Sequence, residues 1–505
     1  MNSTSQTSTV REPSLFAASL PILVLIVLLS LSVYLFGSDS SGGANQVALL
    51  LSAMVAALVA IRNGYRWPEI QQAIVDGIST AMGAILILLA VGALIGTWMM
   101  AGTVPAMIFY GVKLLNPSFF YVATCLICSI ASLSIGSSWT VAGTLGIGLV
   151  GISMALGLSP EVTAGAVISG AYFGDKMSPL SDTTNLAPAV VGAELFDHIR
   201  HMAWTTFPSY LIALIAFLVV GLNYEAAEDL PEAFSSMALL EENFNLSILT
   251  MVPLLVVFTL AMRKFPAFPS ILIGALLGGL AAVVLQPSLV LSFADSPDLV
   301  TPLAMLKGVW GAFAMGFVSN TGDATVDSLL SRGGMGSMLN TIWLIICALS
   351  FGAVMEHCGL LTRLIQSVLK AAKSTGALIA SVLLTSIGTN IVAADQYMAI
   401  VLPGKMYRAE FRRRGLRARN LSRAIEDAGT LTSPLVPWNT CGAFMASTLG
   451  VATVAYLPFA FFNLINPLVS LIYGITGFSI QRIDEGEEDV ERPASGLAPE
   501  TVNEG

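Results

Sequence analysis

Polar residues interrupt an otherwise apolar sequence at four places, and the oxygen atoms there could hold a small cation. The longest interruption is GAYFGDKMSPLSDTTNLAP, residues 170–188, where Asp175 and Asp182 flank Pro179 among hydroxyl and amide side chains. Oxygen ligands suit hard cations, and no histidine lies at any of the four places, which argues against zinc or copper. Burial makes a carboxylate easier to protonate, whereas a neighbouring cation favours its charged form. One carboxylate can therefore hold either a proton or a metal ion, which is the elementary step of exchange.

The four interruptions predict two kinds of break in transmembrane helices. Residues 134–140 and 386–395 are tips rich in small polar residues, and residues 174–186 and 427–440 contain glycine and proline residues that interrupt helices. The candidate ion-binding residues, at which we expect sodium to bind, are Ser137, Ser138, Asp175, Ser178, Asp182, Thr183, Thr184, Asn185, Thr389, Asn390, Asp395, Ser433, Asn439 and Thr440. Glu356 and Asp427 are candidates for proton linkage, because charged groups at membrane depth are costly and usually functional. Structural alternatives stay open: Asp175 could pair with Lys176, Asp427 could cap a helix, and Glu356 could be interfacial.

The composition excludes an ordinary soluble protein. Of 505 residues, 55% are hydrophobic and 11% are charged, whereas charged residues make up about a quarter of a soluble domain. Several segments approach the ~20 apolar residues that a transmembrane helix needs. The first of them, 15–36, is too long for a typical signal-peptide core, so we expect it to be retained. The sequence therefore predicts an all-α polytopic membrane protein.

Short matches between the two halves indicate a duplication. SLSIGSSWTVAG at 132–143 resembles LTSIGTNIVAAD at 384–395, and GDKMSPL at 174–180 resembles GTLTSPL at 429–435. With Gly102 and Gly359 as a third match, the separations lie between 252 and 257 residues. The predicted organisation is a cytoplasmic N-terminal tail (1–14), a first transmembrane repeat (15–222), an acidic external linker (223–245), a second transmembrane repeat (246–480) and an acidic cytoplasmic tail (481–505).

Basic residues predict that the two halves have opposite orientations. The loop 403–424 contains eight Lys and Arg residues and is expected in the cytoplasm, whereas its counterpart at 151–161 contains none. Both termini are then cytoplasmic, and 377–402 must enter and leave the membrane on one side. We expect a re-entrant hairpin there with its turn at SIGTN (386–390), and by symmetry a first hairpin turning at SIGSS (134–138). The predicted fold is two inverted-topology repeats, each with a re-entrant helical hairpin and an unwound transmembrane helix.

The string at 170–188, with ELFDHIRHM at 194–202, resembles the signature of the NhaC-type sodium/proton antiporters of bacteria, and the resemblance covers nearly the whole chain. It implies membership of the wider ion transporter superfamily, in which a mobile transport domain moves against a scaffold. It also implies a multi-pass protein of the bacterial inner membrane. Carried onto this sequence, the signature nominates Asp175, Ser178, Asp182, Thr183, Thr184 and Asn185 as site residues.

Two functional hypotheses follow, together with a third from another class. The first is secondary active export of cytoplasmic sodium in exchange for protons. The alternative is sodium- or proton-coupled exchange of a small organic anion such as malate or lactate, or of an amino acid. An intramembrane hydrolase using Ser178 or Ser181 is disfavoured, because His198 and His201 are expected in a loop at the cytoplasmic surface. We expect no enzyme activity and no cofactor. The expected partners are membrane lipids and the transported Na+ and H+, with a homodimer left open and no nucleic acid.

Overall fold

The chain is helical almost throughout the computed structural model, which describes residues 10–36, 40, 42–223 and 230–483. Within these ranges nine helices are long and apolar enough to cross a membrane, or up to eleven if each of two sharply bent pairs is one span. The only β pairing in the same ranges is two isolated bridges, Phe317 with Arg332 and Leu416 with Arg482. The prediction of an all-α polytopic membrane protein is confirmed. Most of the predicted N-terminal tail (1–9), part of the linker (224–229) and the acidic tail from 484 lie outside the described residues.

The helices in the N-terminal half range from one turn to eight turns. They are α1 (Leu15–Phe36), α2 (Ala44–Arg62), α3 (Trp67–Thr80), α4 (Met82–Met100), α5 (Thr103–Leu114), α6 (Phe120–Ile135), α7 (Ser138–Val141), α8 (Ile147–Ala155), α9 (Pro160–Met177), α10 (Asp182–Val191), α11 (Leu195–Leu222) and α12 (Leu230–Asn243). A π-helical turn at Ala142–Gly146 joins α7 to α8.

The helices in the C-terminal half are similarly varied. They are α13 (Val252–Met262), α14 (Ala267–Leu285), α15 (Pro287–Ala294), α16 (Thr301–Met315), α17 (Ala324–Leu330), α18 (Leu339–His357), α19 (Leu360–Ala371), α20 (Thr375–Val392), α21 (Gln396–Arg413), α22 (Ala418–Ile425), α23 (Thr440–Leu449), α24 (Thr453–Tyr456) and α25 (Phe461–Thr476). A second π-helical turn, Glu426–Thr430, continues α22. Such turns are found frequently at functional sites.

Close packing of α6 on α9 positions the first half of the site. A Cβ atom on Gly174 of α9 would lie 2.6 Å from the Ser132 Cβ and the Ser129 carbonyl oxygen of α6. Ser132 Oγ also donates a hydrogen bond to the Ala171 carbonyl, at 2.6 Å. Small residues at such a crossing let two backbones approach closely. The C-terminal end of α9, with Asp175, is therefore held against the end of α6.

The ends of the helices support the predicted duplication but change its register. Gly102 and Gly359 both take left-handed backbone conformations one residue before a helix, and they are 257 positions apart. Gly192 and Gly450 both end helices in left-handed conformations and are 258 positions apart. These separations are up to six residues larger than those of the two string matches, 252 and 255, and the duplication stays a prediction. The inverted orientation of the two halves stays a prediction.

The structure has a turn at the first of the two predicted tips, SIGSS, but not at the second, SIGTN. In the first half α6 ends at Ile135, and Gly136 turns the chain with φ of 77°, inside the predicted SIGSS segment. In the second half the predicted turn at 386–390 is wrong, because α20 is continuous from Thr375 to Val392. The chain turns instead at 393–395, where Ala394 has φ of 56°. A single glycine in a helix costs only about 1 kcal/mol, so Gly388 alone does not stop α20.

The basic segment 403–424, predicted as a loop, is also mostly helical. Helix α21 extends to Arg413 and α22 begins at Ala418, so that only 414–417 form a turn. Glu410 accepts hydrogen bonds from Arg413 and Arg414, three and four residues further along. Pairs at this spacing stabilise a helix end, which explains why so charged a segment remains helical.

Candidate functional site

The first break in the site separates α9 from α10. Helix α9 ends at Met177, and Pro179 lies in the non-helical segment 178–181, where its missing N–H prevents a continuous helix. Ser181 caps α10 by accepting a hydrogen bond from the Thr184 N–H at 3.4 Å. A Cβ atom on Gly136, which directly follows α6, would lie 2.9 Å from the Ser181 nitrogen. The predicted unwinding is present, and the tip of α6 packs directly against it.

Asp175 is held by the first residue of α7. Its Oδ2 atom accepts one hydrogen bond from Ser138 N at 3.1 Å and another from Ser138 Oγ at 2.6 Å. The Asp175 residue is only 7% exposed. Buried carboxylates are stable when backbone and hydroxyl donors replace water. The alternative in which Asp175 pairs with Lys176 is wrong, since the lysine side chain has another partner, described below.

Asp182 differs from Asp175 in being exposed, as the first residue of α10. The two carboxylates lie on either side of the break and are close enough to interact electrostatically. Ser181 Oγ and Thr183 Oγ1 lie 3.2 Å apart beside Asp182. The break therefore presents one accessible carboxylate and two neighbouring hydroxyl groups in front of a buried carboxylate.

Other predicted ligands in this half bind backbone carbonyls. Ser178 Oγ donates to the Leu133 carbonyl at 2.9 Å, and Thr184 Oγ1 lies 3.0 Å from the carbonyls of both Asp175 and Lys176. The Asn185 amide donates to the carbonyls of the break. A hydroxyl that donates its proton keeps its lone pairs, so Ser178 and Thr184 can still coordinate a cation. Ser137 caps α7 by accepting from Thr140 N.

The second break, 436–439, precedes α23 and packs against the turn at 393–395. Thr440 N donates to the Ala394 carbonyl at 3.0 Å, and the Asn439 amide donates to Asn390 Oδ1 at 3.1 Å. Asp395 caps α21 by accepting from Met398 N at 2.9 Å. The predicted residues Asn390, Asp395, Asn439 and Thr440 are thus brought together. Thr389, by contrast, donates along its own helix to the Thr385 carbonyl.

The two breaks adjoin each other across the centre of the protein. Trp139 of α7 stacks on Phe444 of α23 with ring centroids 4.1 Å apart. Tyr397, at the start of α21, is close enough to interact electrostatically with Asp175, Asp182 and Asp395. Three predicted carboxylates, from both halves, therefore lie within electrostatic range of one tyrosine.

The 258-residue register also relates the contacts of the two halves. Ser138 and Asp175, which bind each other, correspond to Gln396 and Ser433. Ser433 Oγ lies 3.2 Å from Gln396 Oε1, so the same connection recurs without a carboxylate. In this register Ser433 occupies the position of Asp175 and donates a hydrogen bond to Gln396, and its predicted role in ion binding stays a prediction.

A buried ion pair connects the end of α9 to the π-helical turn Glu426–Thr430. Lys176 Nζ lies 2.5 Å from Asp427 Oδ1, and both side chains are fully buried. Asp427 Oδ1 also accepts hydrogen bonds from Thr205 Oγ1 at 3.0 Å and from the Asn466 amide at 2.8 Å. Arg423 Nε lies 4.0 Å from the other carboxylate oxygen. The interpretation of Asp427 as an interfacial helix cap is therefore wrong.

Glu356 lies at the end of α18 and is half-buried. It is close enough to interact electrostatically with Asp395, Lys405 and His357. Its position beside Asp395 is compatible with the predicted proton linkage, which no contact of the described residues tests directly.

Sequence analysis did not identify Arg423 and Glu426, and it placed two histidines incorrectly. His198 and His201 are buried on α11, with exposures of 0% and 3%, and not in a surface loop. The His198 Nδ1 atom lies 2.8 Å from Ser422 Oγ on α22. The available signal was their spacing. Glu426 and Asp427 follow Arg423 by three and four residues, which places the charges on one face of a helix, just before an apolar stretch. In the described part of the chain, neither Ser178 nor Ser181 hydrogen-bonds to a histidine.

No cluster of three or more His, Cys, Asp or Glu residues that could hold a resident metal ion occurs in the described ranges. The oxygen-rich breaks instead resemble the discontinuous helices with which ion-coupled transporters bind their cargo near the membrane centre. Fold and site together define a polytopic, ion-coupled membrane transporter.

Comparison with known proteins identifies the family. Residues 170–478 match the model of the Na+/H+ antiporter family. The chain is 41% identical to the Na+/H+ antiporter NhaC of Alkalihalophilus pseudofirmus, over 86% of this chain and 90% of that protein. It is 38% identical to the malate-2H+/Na+-lactate antiporter of Bacillus subtilis, over 93% and 96%. It is 35% identical to the arginine/ornithine antiporter ArcD of Halobacterium salinarum, over 97% of each. The chain belongs to the Na+/H+ antiporter family.

Proposed function

We propose that this protein is a secondary active antiporter of a bacterial inner membrane, which exports cytoplasmic sodium in exchange for protons with both termini in the cytoplasm. The observation that carries the proposal is the pair of carboxylates at the first break. Asp182 is exposed, whereas Asp175 is buried and hydrogen-bonded to Ser138. Family membership and the sodium/proton antiporter at 41% identity support the same activity.

The two carboxylates suit a cycle of binding and release. A sodium ion that reaches Asp182 loses water and gains the oxygens of Ser181 and Thr183. The ion also offsets the repulsion between Asp182 and Asp175, which interact across the break. Without the cation, that repulsion favours protonation of one carboxylate. Sodium and protons therefore oppose each other at the break, as antiport requires.

Ligands from the second break complete the proposed sodium site when the two halves move against each other. Asp395, Asn390, Asn439 and Thr440 already form a connected group beside Tyr397. The transported ions are the cargo of this mechanism, which uses no resident cofactor and forms no covalent intermediate.

A second candidate is exchange of an organic ion coupled to sodium or protons. It is favoured by the relatives named as a malate-2H+/Na+-lactate antiporter and an arginine/ornithine antiporter, at 38% and 35% identity. The N-terminus of α10 would suit a carboxylate, since the first N–H groups of a helix favour negative charge. The hydroxyl groups there could donate further hydrogen bonds to it.

Transport in proteoliposomes separates the two candidates. Purified protein is reconstituted with an internal pH-sensitive dye, and a sodium gradient is imposed without any organic solute. Proton movement driven by sodium alone supports sodium/proton antiport. An absolute requirement for malate, lactate, arginine or ornithine contradicts it in favour of the second candidate. Empty liposomes and a potassium gradient are the controls.

A further inference from the structure

A cleft with a positive charge, here called the basic cleft, lies at the end of α10 that is remote from the first break. It is bounded by α10, by α21, and by α22 with the turn that precedes it. Arg408 and Arg412 line it from α21, and its apolar lining includes the buried side chains of Val191, Phe411 and Leu421. In the described part of the chain, no acidic residue lines the basic cleft. Its charge therefore suits an anionic partner.

The two arginines lie on one face of α21. Arg408 and Arg412 are four residues apart, a spacing that places both side chains on the same side of a helix. A Cβ atom on Gly192, which ends α10 in a left-handed conformation, would lie 2.9 Å from Arg408 Nη2. Arg408 thus contacts the end of α10 closely. A partner that binds both arginines would therefore act on the junction between α10 and α21.

The acidic residues nearest in the structure pair with other arginines of the same segment. Glu410 accepts hydrogen bonds from Arg413 and Arg414. Asp197 Oδ2 lies 3.4 Å from Arg419 Nη1. These two carboxylates therefore balance charges outside the basic cleft.

The described chain ends at the rim of the basic cleft. Ile483 N donates to the Gly415 carbonyl at 2.9 Å, and Arg417 N donates to the Gln481 carbonyl at 3.1 Å. Leu416, between these two contacts, lines the basic cleft. The residues that follow Ile483 therefore begin beside the cleft.

Side chains of α22 fix this part of the chain. Asn420 Nδ2 donates to the Gln481 carbonyl at 2.7 Å, and Asn420 Oδ1 accepts from Gln481 N at 3.0 Å. Arg423 Nη1 donates to Ser479 Oγ at 2.6 Å. Residues 479–481 are thus held on α22, and they determine where the next segment starts.

The next segment carries the opposite charge. DEGEEDVE, residues 484–491, contains six acidic residues and no basic one, and it lies outside the described residues. An extended chain covers about 3.3–3.6 Å per residue, whereas four residues of α21 separate the two arginines by only about 6 Å along the helix. A few residues of the segment therefore suffice to span both arginines. Because the segment is attached at the rim, its effective concentration there is on the order of millimolar.

We propose that the acidic segment 484–491 binds the basic cleft and clamps the end of α10 to α21. The position of Ile483, the length of the segment and the complementary charges carry the inference. The partner of the two arginines is thus part of this chain, and not an anionic lipid.

The clamp would act on helices of the proposed sodium site. Helix α10 begins with Asp182, and α21 begins directly after Asp395. The basic cleft lies toward the other ends of these two helices. We expect the bound segment to restrain their relative movement and to slow exchange. This effect rests on the proposed function, whereas binding of the segment does not.

Disulfide formation in the full-length protein tests the binding. Ala418 lines the basic cleft, so Ala418→Cys is combined with Glu488→Cys in the acidic segment. The five native cysteines are buried. Mild oxidation of the purified protein in detergent at low ionic strength should link this pair. Glu488→Cys combined with Gln71→Cys, an exposed position on α3, is the control and should stay unlinked.

Charge should control the yield of this disulfide. We expect the yield to fall at least about fivefold in about 1 M choline chloride, where the screening length is only about 3 Å. Arg412→Gln should lower the yield similarly, whereas the adjacent Arg413→Gln, whose arginine pairs with Glu410, should not. The same loss is expected in a neutralised segment, which carries Asp484→Asn, Glu485→Gln, Glu487→Gln, Asp489→Asn and Glu491→Gln.

Four results would overturn the inference. They are no disulfide in folded protein at low ionic strength, equal yields for the cleft pair and the control pair, a yield that persists in the neutralised segment, and suppression of the disulfide by added phosphatidylglycerol. The last result would assign the basic cleft to an anionic lipid.

Transport in proteoliposomes tests the clamp separately. In the neutralised segment, with Glu488→Gln completing the set, sodium-driven proton movement at low ionic strength should be faster than in wild type. Added choline chloride should accelerate wild type and leave this variant unchanged. Equal rates of the two proteins at low ionic strength would contradict the clamp. Absence of sodium-driven proton movement in wild type would instead contradict the proposed function, and the disulfide would still decide whether the segment binds.

Discussion

Lys176 and Asp427 form a fully buried ion pair, with 2.5 Å between Nζ and Oδ1, although 251 residues separate them in the sequence. The pair joins the end of α9 to the π-helical turn after α22, so it connects the broken helices of the two halves. Lys176 directly follows Asp175, and Asp427 directly follows Glu426. The ion pair therefore lies next to Asp175 of the proposed sodium site.

Breaking this ion pair on one side should be strongly destabilising. Lys176→Met leaves the buried Asp427 with only the longer contact to Arg423, and loss of one partner of a buried pair costs about 3–5 kcal/mol. The double variant Lys176→Met with Asp427→Leu should recover part of the loss, because the carboxylate that lost Lys176 is removed; the recovery is only partial, since Arg423 then loses its 4.0 Å contact with Asp427. Thermal unfolding of the purified proteins in detergent measures both effects. Equal stability of the single variant and wild type would contradict the importance of the pair.

Asp182→Asn should abolish sodium-driven proton exchange while the protein remains inserted and folded. The amide preserves the shape of the exposed side chain but cannot neutralise a cation. Asp175→Asn should reduce both activity and folded yield, because Asp175 binds two donors of Ser138. The checks are exchange in proteoliposomes and the monodisperse yield of each variant. Wild-type exchange by Asp182→Asn, with an unchanged pH profile, would remove Asp182 from the mechanism.

Ser138→Ala tests how the first tip holds Asp175. The substitution removes the 2.6 Å hydrogen bond from Oγ but leaves the backbone N–H in place. Loss of a hydrogen bond to a buried charged group should cost about 1.5–3 kcal/mol and weaken sodium activation. Ser134→Ala is a matched control, since this exposed residue on the same tip donates only to the Ile130 carbonyl. If both variants unfold at the same temperature, Ser138 does not position Asp175.

Glu410 should make stability depend on pH at the end of α21. Hydrogen bonds from Arg413, with smaller contributions from Arg414, lower the pKa of Glu410 from its ordinary value of 4.5 to about 2. Because the pKa of Glu410 is lower in the folded protein than in the unfolded chain, the ionised carboxylate stabilises the folded protein at pH values above 4.5. This contribution is lost as the pH falls from 4.5 through about 2. Glu410→Gln should therefore be less stable than wild type at pH 7, and the difference should diminish below pH 4.5. Thermal unfolding of both proteins across this range is the measurement, and a difference that grows in acid would contradict the prediction.

Arg413→Cys tests the predicted orientation of the membrane protein. Arg413 has an exposed side chain at the end of α21, in the basic segment predicted to be cytoplasmic. A membrane-impermeant thiol reagent should label this cysteine only in inside-out vesicles. The five native cysteines are buried, so unsubstituted protein is a suitable background. Labelling in intact cells would reverse the predicted orientation of the second half.

The sequence by itself determined the class of protein and most of the places where helices break. Long apolar segments need only local information to predict membrane helices, and Pro179 removes a backbone donor wherever it lies. The sequence also identified Asp175 and Asp182, because charged residues are rare in so apolar a chain. It placed the second tip wrongly, at 386–390, because Gly388 resembles Gly136 locally. The conformations of Ala394 and Asp395 depend instead on packing against α23.

Only the tertiary structure decided the partners of the charged residues. Lys176 could have bound Asp175 next to it, and instead binds Asp427 from the other half of the chain. Glu426 looks like one more charge beside a basic segment, yet it is fully buried. Local propensities act over a few residues and determine where helices begin and end. The choice of an ion-pair partner and the burial of a carboxylate depend on which helices pack together, and that information is distributed over the whole chain.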